Sequence, residues 1–137
     1  MRAPGERVPF EEGVVVRYAH RRTSRLPFAD TVIAVEAAAR THGFSIVRSH
    51  DIQSALASKG FDIGPLVIVE LGPDEEADAL LSLLLPIRLN VYEEEGSVVV
   101  AALRPTLFRE VFPEHDLEEA SQRLESAVVC VLDEACP

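Results

Sequence analysis

Residues 80–105 constrain the fold more than any other stretch of this chain. Leu80-Leu81-Ser82-Leu83-Leu84-Leu85 reads as the end of a leucine-rich helix. Pro86 stops it, because the residue before a proline is pushed out of the α region. Ile87, Leu89 and Val91 then alternate with Arg88, Asn90 and Tyr92, the period of a half-buried strand. Glu94-Glu95-Gly96 supplies a short acidic turn with a glycine for a left-handed position. Val98–Leu103 returns as the second arm of a hairpin, and Pro105 closes the block.

The remaining chain supplies partners for that hairpin. Residues 1–12 mix proline, glycine and charge without periodicity and are expected to form a flexible tail, with one domain over 13–137. Val14-Val15-Val16-Arg17-Tyr18 has the β-branched content of a strand, and His20–Arg25 that of a polar loop. Pro27 suits a first helical turn; Phe28, Val32, Val35 and Ala39 share a face, and Gly43 ends the helix. Phe44–Ser49 reads as a second strand. Asp51 is placed to cap a short helix, Ile52–Lys59, that stops at Gly60. Pro65–Leu71 is a third strand, and Gly72-Pro73 followed by Asp74, Glu75 and Glu76 reads as a dipole-favoured helix start. A short helix is expected over Pro105–Phe112. In the last helix, from near Asp116, Leu117, Ala120, Leu124, Val128, Val131 and Ala135 form one stripe. Cys130 is expected near that stripe and Cys136 exposed at the end.

The order β-α-β-α-β-α-β-β-α predicts an α+β fold: a two-layer sandwich with a mixed, mainly antiparallel five-stranded sheet and helices on one face. Val14–Val16, Leu66–Leu71 and Val98–Leu103 are apolar on both faces, which one helix layer cannot cover. A two-fold homodimer is therefore expected.

Composition excludes several functions. No run of about 18 apolar residues exists to cross a membrane, and the N-terminus lacks the apolar region of a secretory signal. Two cysteines form no disulfide framework, so the cytoplasm is the default compartment. The net charge is −10. Residues 1–50 carry eight arginines against five acids, whereas 51–137 carry five basic residues against eighteen acids. Arg17, Arg21, Arg22 and Arg25 are the one basic group, better read as a solvated loop than as a nucleic-acid face. With aromatic residues at 6% and no tryptophan, no base-stacking platform is visible.

Several pieces together resemble the domain-of-unknown-function 302 family. They are His42-Gly43-Phe44-Ser45-Ile46-Val47, Asp51-Ile52, the strand Val67–Leu71 entering Gly72-Pro73, and Leu84-Leu85-Pro86-Ile87-Arg88-Leu89-Asn90-Val91-Tyr92-Glu93. Gly96, Val98-Val99-Val100 and Pro105 follow in order, and the likeness spans about residues 14–135. The resemblance implies a two-layer α+β fold, often dimeric, and no established activity. Members often carry Cys-Asn-Pro after the third strand and Leu-Pro-Cys before the fourth. This chain has Leu71-Gly72-Pro73 and Leu85-Pro86-Ile87, so thiol chemistry does not transfer to these positions.

Chemistry-bearing residues are few. Glu70 interrupts an apolar strand, and a buried carboxylate requires a partner. Arg48, Glu70, Arg88, Asn90 and Tyr92 form the candidate ligand-binding set, for a small anionic or zwitterionic molecule. A cross-strand Glu70–Arg88 ion pair with a purely structural role accounts for the same residues and is the commoner arrangement. His50-Asp51 is the best acid–base pair, although helix capping already explains Asp51. Gly-x-Ser-x-Gly is absent. His20, His42, His50 and His115 lack zinc spacing, and the acids Glu114–Glu119 around His115 suit a solvated helix start. No cofactor, metal or catalytic residue is assigned.

The leading expectation is a non-catalytic homodimeric module binding a small molecule or protein partner. Its alternatives are a small hydrolase- or isomerase-like enzyme using His50, Asp51 and Glu70, and a scaffolding dimer without ligand. A pocket walled by apolar side chains beside Arg88 and Tyr92 would favour binding, whereas convergence of His50 and Glu70 in a deep pocket would favour catalysis.

Overall fold

Alternation along the strands decides which residues meet the helices. The computed structural model describes residues 18–73, 84–111 and 117–137. The strands are β1 (Ala19–Ser24), β2 (Phe44–Asp51), β3 (Leu66–Pro73), β4 (Ile87–Glu94) and β5 (Ser97–Leu103). The helices are α1 (Phe28–Thr41), α2 (Ile52–Ala57), α3 (Leu107–Val111) and α4 (Glu118–Ala135). The sheet order is β1-β5-β4-β3-β2, and all four ladders are antiparallel. The two-layer α+β architecture is as expected; the parallel pairing that a mixed sheet would admit does not occur among these strands.

Val69, Leu71, Leu89, Val91 and Val100 are fully buried and form one core with Val35 and Ala39 of α1 and Val128, Val131 and Leu132 of α4. These residues lie on one sheet face, as a period of two requires. Apolar burial at about 25 cal/mol per Å² makes this seam the main source of stability. Of the stripe expected on α4, Leu117, Val128, Val131 and Ala135 are buried and Ala120 and Leu124 half-buried, while Ser121 and Leu132 join the buried side. Both cysteine expectations are reversed: Cys130 is exposed and Cys136 buried. The helical period explains this, since Cys130 lies two residues from Val128, on the far side, while Cys136 lies one turn beyond Leu132. Burial raises the Cys136 thiol above its ordinary pKa, outweighing the opposing pull of Arg22.

The largest departures from expectation are at β1 and β3. β1 occupies Ala19–Ser24, where a polar loop was expected, because long-range pairing from Ala19↔Leu103 to Ser24↔Val98 overrides local polarity. As an edge strand it tolerates charge: His20 meets Glu125 at 3.1 Å and Arg22 meets Asp133 at 3.0 Å. β3 runs on through Gly72 and Pro73, which pair with Ser45 and Phe44 rather than opening a helix. The Ser45 hydroxyl donates to the Pro73 carbonyl at 3.0 Å.

The register of β2 against β3 slips between Ile46 and Arg48, leaving Val47 as a bulge that is 59% exposed. Gly72, the partner of Ser45, lies diagonally beside this bulge. A Cβ there would come within 2.7 Å of Val47 Cγ2. The β4–β5 hairpin closes through Glu95 and Gly96, both with positive φ (52° and 81°), as a two-residue turn matching strand twist requires. The tail over 1–12, the strand residues Val14–Val16, the helix expected from Asp74, and His115 with its neighbours Glu114 and Asp116 lie outside the described residues. No helix among the described residues is long and apolar enough to cross a membrane.

Candidate functional site

The sheet face turned away from α1 and α4 gathers the five residues of the candidate ligand-binding set, together with His50. Cross-strand partners share a face, so the ladders define its rows. One row runs Arg48↔Glu70↔Arg88, the next His50↔Ile68↔Asn90↔Ala101↔Arg21, and a third Leu66↔Tyr92↔Val99↔Thr23. Arg48, Glu70, Arg88, Asn90 and Tyr92 are thus brought to one surface.

A cavity of about 670 Å³ opens at one end of that face. Antiparallel order explains where it sits. The start of β4, the end of β5 and the start of β1 coincide, so Leu84-Leu85-Pro86, Arg104-Pro105 and Tyr18 meet there. The Arg104 amide donates to the Tyr18 carbonyl at 2.9 Å. Ile68, Ala101 and Leu103 contribute apolar sheet surface, and Phe108 of α3 adds an aromatic ring. Arg88, Asn90 and Tyr92 also line the cavity. Arg48 and Glu70 lie on the same face outside its lining.

Glu70 has two neighbours. His50 Nε2 is 3.1 Å from Glu70 Oε1, a hydrogen bond, and Arg88 Nε is 3.9 Å from the same oxygen. The cross-strand approach of Arg88 is present, but the shorter contact belongs to His50. Arg48 stands opposite Glu70 in the ladder and is exposed.

The His50–Asp51 pair of the catalytic alternative does not form. Successive strand residues point to opposite faces, so Asp51 turns from His50 and caps α2. Its carboxylate accepts from the Ser54 amide and the Ser54 hydroxyl, each at 2.9 Å. The Ser54 amide, and then its hydroxyl, hold the Asp51 pKa below the usual range. Neither His50 nor Glu70 lines the cavity.

A second polar cluster borders the cavity and was not anticipated. Arg104 Nε donates to Glu125 Oε1 at 2.8 Å, and the guanidinium also reaches Thr106 Oγ1 at 3.3 Å. His20 meets the same Glu125 oxygen at 3.1 Å. Burial alone would raise the Glu125 pKa; the contacts from Arg104, Thr106 and His20 outweigh it and lower the value. Further along the same sheet face, toward the β4–β5 turn, Arg21 of β1 donates to Glu94 at the end of β4. Glu94, with help from Tyr92 and against desolvation, keeps that guanidinium firmly protonated.

The wall residues Leu84, Leu85, Pro105 and Phe108 were read only as helix stops and connections. Pro86 and Pro105 were the available signal, for they end consecutive antiparallel elements on the same side. No group of three or more His, Cys, Asp or Glu side chains suited to a metal occurs among the described residues.

A family model described as "Domain of unknown function DUF302" matches residues 20–135. Among solved structures, the crystal structure of an uncharacterized conserved DUF302 protein from Bacillus stearothermophilus is similar, with a TM-score of 0.78 and 24% sequence identity. The likeness covers 88% of this chain and 98% of that one, and it supports the fold alone. No curated protein matches the chain closely enough to count as a relative.

Proposed function

This chain belongs to the DUF302 family, and from that premise we propose that it is a non-catalytic, homodimeric binding module of the cytoplasm. Its ligand is a small organic molecule held in the cavity beside Arg88, Asn90 and Tyr92. The observation that carries this reading is the cavity itself. A concave site of about 670 Å³, mostly apolar with a few convergent polar groups, has the form of a small-molecule site. Asn90 and Tyr92 supply an amide and a hydroxyl that orient a ligand without committing it to a reaction.

Titration of ¹⁵N-labelled protein with a fragment library tests the proposal. Shifts clustering at residues 84–92 and 101–108, and lost in Ala101→Phe, would support it. Hits scattered over the surface in both proteins would overturn it. The dimer is supported by Tyr18 and Leu103, 54% and 67% exposed on this face. Light scattering at micromolar concentration should give twice the chain mass; a monomer would remove that part of the reading.

The catalytic alternative keeps one supporting contact, His50 with Glu70, since a carboxylate can orient an imidazole for proton transfer. Asp51 no longer belongs to it. Because His50 and Glu70 stand outside the cavity lining, binding is the better-supported reading.

A further inference from the structure

The protein carries 23 acidic residues against 13 basic ones, yet the cavity reverses this balance. Two arginines, Arg88 and Arg104, line it, and none of its lining residues among those described is acidic. From this contrast, and resting on the binding role proposed above, we infer that the ligand is an apolar carboxylate, its chain or ring against the apolar walls and its charge against the guanidiniums.

The two arginines are held differently. Glu125 fixes Arg104 through Nε from outside the lining, at 2.8 Å, so the carboxylate that positions the guanidinium does not occupy the cavity. Arg88 is 66% exposed, and its 3.9 Å approach to Glu70 is longer than a hydrogen bond, the nearer partner of Glu70 being His50. Arg88 therefore keeps planar N–H donors to offer a carboxylate, a geometry that guanidinium matches in bidentate fashion. Ile68, Leu84, Leu85 and Ala101 offer apolar surface to the rest of the ligand. An apolar cation would meet two guanidiniums and, among the described lining residues, no acid. A neutral molecule would gain the apolar contacts but offer the exposed Arg88 guanidinium no charge.

Octanoate, octanamide and octylamine separate the contributions, because they share a chain and differ in head-group charge. Each is titrated into the full-length protein and followed by amide shifts and calorimetry. Octanoate is expected to bind at residues 84–90 and 101–108, about tenfold or more tighter than octanamide, the scale of one charge-assisted contact. Octylamine is expected to bind weakest. Arg88→Gln, at an exposed position, should remove most of the preference for octanoate over octanamide. Arg104→Lys retains the charge and should keep more of that preference than Arg104→Gln, with ¹⁵N spectra confirming that each variant is folded.

Equal binding of octanoate and octanamide at these residues would overturn the carboxylate inference and leave the cavity as a binding site. An undiminished preference in folded Arg88→Gln and Arg104→Gln would overturn it as well. Failure of all three compounds, together with the absence of clustered fragment shifts, would overturn both the inference and the binding role beneath it.

Discussion

His50 reaches diagonally across the ladder to Glu70, two residues beyond its own register partner Ile68, with Nε2 3.1 Å from Oε1. Diagonal neighbours on one sheet face lie within reach of long side chains. This contact ties the edge strand β2 to β3 on the face opposite the helices. A double-mutant cycle with His50→Ala and Glu70→Ala should give a coupling of about 0.5–1.5 kcal/mol in urea unfolding, the range of an ordinary intramolecular hydrogen bond. Additive single effects would show that the pair contributes nothing to stability.

Gly72 and Val47 make a steric prediction. Gly72→Ala places a methyl 2.7 Å from Val47 Cγ2, and valine has little χ1 freedom to withdraw. Overpacking of this kind costs about 1–3 kcal/mol. Val47→Ala in the same chain should recover most of the loss, which a shift in urea midpoint at constant m-value would record.

Glu95 adopts φ 52° in the β4–β5 turn. A left-handed conformation disfavours most L-residues, but asparagine adopts it readily. Glu95→Asn should stabilise the protein by about 0.5–1 kcal/mol. Thermal unfolding provides the measurement, and a lower midpoint would contradict the turn assignment.

Acid should loosen the α4 clamp. Glu125 and Asp51 both have pKa values lowered in the folded state. Each therefore contributes stability that is fully present above its unfolded pKa and lost as pH falls through its folded one. In Glu125→Gln, stability should decline less steeply with acidification below about pH 4.5, the unperturbed carboxylate region. Parallel pH profiles for the variant and the parent chain would contradict the assigned shift.

The thiols should react in two stages. Cys130 is exposed, whereas Cys136 is buried with a raised pKa. An aromatic disulfide reagent should titrate one thiol per folded chain rapidly and the second only with unfolding. Cys130→Ser should abolish the fast phase.

Local patterns were most legible where neighbours in sequence dictate them. Alternation at Ile87–Tyr92 revealed that Arg88, Asn90 and Tyr92 share a face, Glu95-Gly96 announced the turn, and Asp51 announced a cap. Adjacency alone could not pair His50 with Asp51, because neighbouring strand residues diverge. β1 was misplaced because its pairing comes from β5, far along the chain, which a polar window such as His20–Arg25 does not announce. The cavity is assembled from segments that terminate at a common end of the sheet, so Arg104 and Phe108 acquire their setting only when topology is known. The inward side of α4 is also present in the spacing, since Cys136 lies one turn beyond the buried Leu132.

The pairing of β1 with β5 bears on the order of assembly. β4 and β5 are neighbours joined by a two-residue turn, whereas Ala19 must find Leu103 across most of the chain. Loop closure over that length has an entropy cost that a short hairpin avoids. The β4–β5 hairpin therefore supplies a template onto which β1 docks late. In pulse-labelled hydrogen exchange, the amides of β4 should be protected before those of β1. The wall from Arg104 to Tyr18 would close with that last step, making the cavity a product of completed folding rather than of any one segment.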